Sequence, residues 1–154
     1  MILRPYGVVI DGKLELGVEL VMEGKTIAQI RPHTGIPENF VISPAFVNAH
    51  SHLEYRGLQD KMRAEAYRDW IREITQAKMG ESEVKVRRDS ITAAHENRRT
   101  GVALIGEHSD RPTAATALLS ANLDGVIFQE TITFFERDTR QAKIAAIRAK
   151  AVDQ

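Results

Sequence analysis

Hydrophobic and polar positions alternate along the first part of the chain. The apolar run Val8–Ile10 precedes Asp11–Gly12, a pair that favours a two-residue β-hairpin turn. Apolar residues then alternate with polar or small ones over Leu14–Met22, and Glu23–Lys25 forms a second turn signal. A period of two is typical of half-buried strands. The pattern therefore predicts a small antiparallel β unit over residues 1–44.

After Pro44 the pattern changes to short apolar runs that are separated by helical periodicity. The run Ala45–Ala49 predicts a strand buried on both faces, Val102–Ile105 predicts a second buried strand, and Val126–Phe128 predicts a third strand. Helices are predicted to begin near Tyr67, Ser82, Pro112 and Arg140. Strands that alternate with helices are typical of a parallel sheet. The sequence therefore predicts an α/β fold over residues 45–154.

Individual residues indicate where these helices begin and end. The first helix has apolar residues at i, i+3, i+4 and i+7 over Tyr67–Ile74, which gives one apolar stripe. Ser82 is predicted to cap the second helix, and Gly101 to follow its end. Asp138 or Thr139 is the predicted cap of the last helix.

The composition is that of an ordinary globular chain. Of the 154 residues, 43% are hydrophobic and 27% are charged, which argues against disorder. The 21 basic and 21 acidic residues cancel, so no overall field favours nucleic acid or an anionic membrane. No apolar run approaches the roughly 20 residues that cross a bilayer, and the N-terminus lacks a signal-peptide pattern. We therefore expect a cytoplasmic protein without nucleic-acid or membrane partners.

Two histidines follow the first strand of the predicted parallel sheet. His50 and His52 stand two residues apart, and side chains at i and i+2 of an extended backbone project to the same side. Because the chain has no cysteine, a metal must be held by imidazole, carboxylate or carbonyl groups. Neutral imidazole suits zinc and other transition metals. The pair is either a metal site at the carboxyl end of the strand or two histidines without a ligand.

Other polar residues follow the same strand ends. Glu54 comes just after the histidine pair, and Glu130 ends the third strand, where either could face a substrate. His108 follows the second strand, with Asp110 beyond it, and is the one further histidine placed to join the site. We predict Glu54, Glu130 and His108 as substrate-binding residues. The alternative for each is a structural hydrogen bond or salt bridge.

The segment Ser43–Glu54 reads Ser-Pro-Ala-Phe-Val-Asn-Ala-His-Ser-His-Leu-Glu and resembles the first barrel strand of the amidohydrolase superfamily. The nearest branch contains the cytosine, guanine and aminofutalosine deaminases and the triazine chlorohydrolases. The resemblance extends back to Met22–Ile30 and forward to Thr100–Ala103 and Val126–Glu130. Only the His-x-His segment is highly specific, and Ala45 replaces the commoner glycine.

This resemblance implies a fold and a chemistry. It implies a partial (β/α)₈ barrel of about three strand-helix units, preceded by the β unit, because a complete barrel needs roughly 250 residues. It implies that His50 and His52 bind a divalent metal, with zinc expected and iron or manganese as alternatives. The metal activates a water that attacks a carbon bearing an amino, amide or chloro group. Two further histidines and an aspartate would come from later strands.

Two functions remain open at this point. The first is the N-terminal part of a metal-dependent hydrolase of carbon–nitrogen or carbon–chlorine bonds, expected to be a deaminase of a small heterocyclic substrate and inactive as an isolated chain. The second is a catalytically silent fragment or scaffold that self-associates. A half-barrel exposes sheet edges and an apolar interior, and such edges pair with other chains. We therefore expect a homo-oligomer.

Overall fold

The computed structural model describes residues 1–131 and 139–152. The chain divides into two compact units, Met1–Ala45 and Phe46–Gln154. None of the described helices combines the length and the apolar character needed to span a bilayer.

The first unit consists of short strands arranged in two three-stranded sheets. The strands are β1 (Ile2–Leu3), β2 (Pro5–Ile10), β3 (Lys13–Leu16), β4 (Val18–Glu23), β5 (Thr26–Pro32) and β6 (Glu38–Ile42). One sheet has the order β1-β4-β5 and the other has the order β3-β2-β6. Val8 and Leu20 are the buried hydrophobic residues of this unit.

The hairpin predicted at Asp11–Gly12 is confirmed. Both residues have positive φ, 50° for Asp11 and 76° for Gly12, as a type I′ turn requires. The prediction of a purely antiparallel unit is wrong, because β2 pairs with β6 in parallel. On its other side β2 pairs with β3, its hairpin partner. The strands β4 and β5 lie between β3 and β6 in the chain, so the pairing of β2 with β6 joins strands that are distant in sequence. Alternation predicts strands but carries no information on the direction in which distant strands pair.

Glu19 on β4 is a fully buried carboxylate that holds the end of the unit together. It accepts hydrogen bonds from Arg4 Nε at 3.0 Å and Arg31 Nε at 2.8 Å. Thr34 adds its backbone N–H at 3.2 Å and its hydroxyl at 2.9 Å. Burial raises the pKa of Glu19, but the hydrogen bonds of Arg31 and Thr34 outweigh this and lower it from 4.5 to about 2. The charge is therefore kept at neutral pH.

The second unit alternates strands and helices. Its elements are β7 (Phe46–Ser51), a 3₁₀ helix (Leu53–Leu58), α1 (Tyr67–Met79), α2 (Glu83–Arg99), β8 (Val102–Ser109), α3 (Thr113–Ala121), β9 (Asp124–Gln129) and α4 (Arg140–Val152). Ser82 caps α2 by accepting the N–H of Lys85, as predicted. Asp138, one of the two predicted caps of α4, lies outside the described residues.

The predicted parallel sheet is confirmed for the three strands β7-β8-β9, which all run in the same direction. One face of this sheet packs against helices, with Ile105 among its fully buried residues. The core comprises Leu53, Ala93, Ala94, Val102, Ile105, Ala117, Leu118, Ala121 and Leu123. Small alanines on α2 and α3 allow these helices to lie close to the sheet.

The prediction that the strand Ala45–Ala49 is buried on both faces is wrong for the described unit. Phe46 and Val47 are each 62% exposed, and Val126 and Phe128 also lie at the surface. The physical reason is that the helices cover a single face, and no described element of this unit covers the other. Residues that read as a buried strand in sequence therefore form an exposed apolar face.

A first prediction concerns Glu19 and pH. Because its pKa is lowered on folding, Glu19 stabilises the first unit above its ordinary pKa of 4.5, and this contribution is lost as pH falls towards 2. We expect Glu19→Gln to speed amide hydrogen exchange in β4 and β5 at pH 7 and to shrink the wild-type loss of protection between pH 4.5 and 2. The exposed Glu15→Gln on β3 is the matched control. Equal exchange in both variants at pH 7 would contradict this role of Glu19.

Candidate metal and substrate site

His50 and His52 lie where β7 gives way to the 3₁₀ helix. The β7–β8 register shifts between Asn48 and Ser51, which displaces this stretch from the regular ladder. Gly106 on β8 makes room for it, because a Cβ at that position would lie 2.5 Å from the carbonyl oxygen of Ala49. The shifted backbone brings the two histidine side chains together at the carboxyl end of the strand.

The Nε2 atoms of His50 and His52 lie 3.3 Å apart. Zinc–imidazole bonds of about 2.0–2.1 Å at the tetrahedral angle place two ligand nitrogens about 3.3–3.4 Å apart. The separation therefore fits two ligands of a single tetrahedral ion. Burial lowers the pKa of His52 from 6.5, although the charges of Glu130 and Glu54 partly raise it. A lowered pKa favours the neutral ring that metal binding needs.

Other rings stack on the two histidines. The ring of His108 stacks on His50, with centroids 4.1 Å apart, and on Phe128, with centroids 4.7 Å apart. Tyr55 stacks on His52 with its centroid at 4.7 Å. His108 lies within β8, whereas the sequence placed it after that strand. β8 is longer because its polar end pairs with β9 as far as Ser109.

Glu130 is held beside His52 at the end of β9. Its backbone N–H donates to the carbonyl of Ser109 at 2.9 Å, which continues the sheet pairing by one residue. Its Oε2 lies 3.8 Å from Nδ1 of His52, a distance that suits charge attraction but is too long for a hydrogen bond. Neither His52 Nδ1 nor Glu130 Oε2 has a hydrogen-bond partner among residues 1–131 and 139–152, which the structure describes. The structure thus places the Glu130 carboxylate beside Nδ1 of His52.

Glu54 is buried in an ion pair. Its Oε1 accepts from Nζ of Lys78 on α1 at 3.2 Å, and Lys78 also pairs with Asp110 at 2.7 Å. Although burial lowers the pKa of Lys78, the hydrogen bond to Asp110 and the charge of Glu54 raise it above 10.5. The lysine lies four residues after Ile74, on the stripe that sequence reasoning treated as apolar only. These three charges link the 3₁₀ helix to α1 and to the end of β8.

Glu107 was missed by the sequence reasoning. Its fully buried carboxyl lies on β8 and accepts the backbone N–H of Leu53 at 2.9 Å. Burial, with the nearby charge of Glu54, raises the pKa of Glu107 from 4.5 to about 8, while the Leu53 amide lowers it. One signal was available in the sequence, because Ile105 and Glu107 stand two apart and therefore share one face of a strand. The predicted strand ended too early for that signal to be used.

The structure thus brings His50, His52, His108 and Glu130 to one end of the parallel sheet, while Glu54 is engaged by Lys78. Among the described residues, no group of three or more histidine, aspartate or glutamate side chains has the geometry to hold a metal ion. Two imidazole nitrogens converge there, and no third histidine, aspartate or glutamate side chain joins them within those residues.

Comparison with solved structures shows a related fold. The aminofutalosine deaminase of Helicobacter pylori, solved with methylthio-coformycin, matches with a TM-score of 0.65 and 18% identity over 94% of this chain and 38% of that chain. The N-isopropylammelide isopropylaminohydrolase of Burkholderia multivorans matches with a TM-score of 0.57 and 17% identity, over 96% of this chain and 42% of that chain. A structure of molinate hydrolase matches more distantly, with a TM-score of 0.48 and 16% identity over 82% of this chain and 28% of that chain.

These comparisons bear on the fold alone. The chain spans 38% and 42% of the deaminase and the aminohydrolase, so it resembles a part of each. The sequence matches no protein-family model. It also matches none of the curated proteins. The fold of this chain is thus similar to parts of these two enzymes, at low sequence identity.

A second prediction tests the buried ion pair. Lys78→Met leaves the Glu54 carboxylate buried without its cation, and we expect unfolding free energy to fall by about 3 kcal/mol in urea titrations followed by Trp70 fluorescence. The double variant Lys78→Met/Glu54→Leu should regain most of that loss, because both buried charges are gone. Arg88→Met, at an exposed side chain, should cost less than about 1 kcal/mol. Similar losses for Lys78→Met and Arg88→Met would disprove a special role for the buried pair.

Proposed function

We propose that this chain forms the first part of a metal-dependent hydrolase that acts on carbon–nitrogen bonds outside peptides, or on carbon–chlorine bonds. Its specific form would be a deaminase of a heterocycle. The sheet β7-β8-β9 is then the beginning of a (β/α)₈ barrel, over residues 45–154, and residues 1–44 form a small β unit that is part of a composite β-sandwich. Parallel strand order and alternating helices support this interpretation. Two solved structures of similar fold, with TM-scores of 0.65 and 0.57, are of proteins named a deaminase and an aminohydrolase.

The observation that carries the proposal is the 3.3 Å separation of the His50 and His52 Nε2 atoms. It matches two ligands of one tetrahedral ion, and both rings leave the carboxyl end of a parallel strand, where α/β folds place their sites. We propose zinc as the metal, with iron or manganese as alternatives. A bound divalent ion supplies an activated water near neutral pH.

The remaining residues have roles that follow from where they lie. Glu130 faces Nδ1 of His52, so its negative charge favours a proton on Nδ1 and leaves Nε2 free as a ligand. His108 presents a ring next to His50 that a planar heterocycle could stack on or donate to. We retain Glu130 and His108 as proposed substrate contacts. Glu54 is also kept as a proposed substrate contact, although Lys78 engages its Oε1.

The same geometry argues that the chain by itself is inactive. A catalytic zinc is usually held by three protein ligands and a water. Among the described residues, only the imidazole nitrogens of His50 and His52 converge on one point. No third histidine, aspartate or glutamate side chain joins them there. We therefore expect weak metal binding and little turnover of heterocyclic amines until the later strands of a barrel supply the missing ligands.

A third prediction tests the metal site. Titration of the chain with Zn²⁺ in a calorimeter at pH 7.5 should show one site per chain, and His50→Ala or His52→Ala should weaken it at least about 10-fold, as loss of one of two ligands implies. His95→Ala, on the exposed side of α2, is the matched control and should bind as the wild type does. Binding that survives in the double variant His50→Ala/His52→Ala would rule out this pair as the metal site.

We propose as a second function a catalytically silent module that self-associates, because one specific observation favours it. The sheet face opposite the helices exposes apolar side chains, among them Val47, Leu104, Val126 and Phe128. Among the described residues, β7 and β9 are the edges of that sheet, each with one unpaired side. A second copy of the chain offers both an apolar face and a sheet edge of matching direction.

A fourth prediction tests self-association. Sedimentation velocity of the wild type at high micromolar concentration should show a dimer or larger species, and Val126→Lys should shift it to monomer by placing a charge on the apolar face. Leu119→Lys is the matched control, since Leu119 is equally apolar but is exposed on α3. A folded wild-type monomer at these concentrations would refute the self-associating module.

A further inference from the structure

We propose that Glu107 is a positioning residue: its carboxyl group fixes the bend between β7 and the 3₁₀ helix and thereby sets the position of the His52 ring. The benefit for hydrolysis rests on the proposed function. The positioning itself is a property of the chain, and it can be measured without a metal.

The first step is the missing cap of the 3₁₀ helix Leu53–Leu58. The first N–H groups of a helix have no partner within the helix and are usually satisfied by a side chain at the N-cap. His52 occupies that N-cap position, but its side chain makes no capping hydrogen bond. The N–H of Leu53 is instead accepted by Oε1 of Glu107, at 2.9 Å, from a residue 54 positions later in the chain. The cap is therefore supplied by the neighbouring strand.

The second step is the loss of regular strand pairing at this point. Ser51 pairs with Glu107 in the β7–β8 ladder, but the register has shifted between Asn48 and Ser51, and β7 ends at Ser51. Beyond Ser51 the backbone no longer has a ladder partner on β8. The Glu107 side chain continues the connection between the two strands by one further hydrogen bond. It does so from a fully buried position, where geometry is tightly constrained by packing.

The third step connects this hydrogen bond to the ring of His52. The Leu53 N–H belongs to the peptide group that follows Cα of His52, so holding it fixes ψ of His52, which is 82°. That backbone angle determines how the 3₁₀ helix leaves the strand, and Tyr55 on this helix stacks on the His52 ring with an interplanar angle of 6°. The His52 ring is therefore packed against the helix whose direction this angle sets. Loss of the Glu107 acceptor would leave the Leu53 N–H without its partner, which is costly for a buried group, and would release this bend.

The test uses the full chain with labelled histidine and a pair of matched variants. Glu107→Gln keeps the length of the side chain and an acceptor oxygen, whereas Glu107→Met keeps the length and removes the acceptor. We expect NMR to show that Glu107→Met weakens the contacts between the His52 and Tyr55 rings and shifts the His52 ring signals. Glu107→Gln should retain the wild-type pattern. His33, which lies in the other compact unit, should be unchanged in both.

A control separates positioning from general loosening of the unit. Asn97→Ala removes the hydrogen bond between Asn48 on β7 and Asn97 on α2, at 3.0 Å, without touching the Leu53 amide. We expect it to lower stability while leaving the His52–Tyr55 ring contacts in place. If Glu107→Met does not fold, Glu107→Asp serves in its stead, because one fewer methylene withdraws the acceptor from Leu53.

Three outcomes would overturn the proposal. They are unchanged ring contacts in Glu107→Met, an equal change in Asn97→Ala, and failure of Glu107→Gln to restore the wild-type pattern in a folded chain. Zn²⁺ binding is read separately, with an expected loss of about 10–100-fold in Glu107→Met, as for other residues that orient ligands. If the wild type binds no Zn²⁺, the metal proposal fails while the ring contacts still decide the role of Glu107.

Discussion

Parallel pairing between β7 and β8 is the constraint on which the rest of the second unit depends. It aligns the carboxyl ends of the two strands, so that residues far apart in sequence, His50 and His108, stack with ring centroids 4.1 Å apart. The pairing is close enough that position 106 must be glycine, because a Cβ there would collide with the Ala49 carbonyl. That close approach accommodates the register shift beside His50. The site is thus a consequence of strand pairing.

Buried carboxyl groups in this chain are stabilised in two different ways. Glu54 keeps a partner cation, Lys78, inside the fold. Glu107 lies close enough for the Glu54 charge to raise its pKa, and with burial this reaches about 8, which favours its neutral form at pH 7. A further buried charge is unfavourable in a poorly solvated place, so burial and the Glu54 charge raise the pKa of Glu107. A neutral acid still has an oxygen that accepts the Leu53 amide, which is why a cap of this kind is possible without a second buried cation.

The secondary structure was largely predictable because it depends on local patterns. The Asp11–Gly12 hairpin, the Ser82 cap and the parallel order of the last three strands follow from turn chemistry, capping and alternation. Two features were not predictable from such patterns. The parallel pairing of β2 with β6 depends on contacts between distant residues, and the exposure of Phe46 depends on whether a further element covers the sheet.

In the candidate site, too, local features were predictable and contacts between distant residues were not. The spacing of His50 and His52 was readable as two side chains on one side of a strand, and the structure places their Nε2 atoms 3.3 Å apart. Glu107 and Lys78 were not found, because each is a charged residue in a pattern interpreted as apolar or as already ended. Their partners, the Leu53 amide and the Glu54 carboxylate, become neighbours only after the chain has folded. The burial of such polar residues cannot be predicted from the sequence alone, because it depends on partners that are distant along the chain.

The two proposed functions meet on a single surface of the molecule. The exposed apolar face of the parallel sheet includes Phe128, whose ring stacks on His108, and His108 stacks in turn on His50. An element that covers this face therefore also closes over the histidines and excludes water from them. Later strands of a barrel would cover it while adding ligands, whereas a second copy of this chain would cover it and add none. Under these two proposals, the element that covers this face, more than the histidine pair itself, would determine whether the chain takes part in hydrolysis or only self-associates.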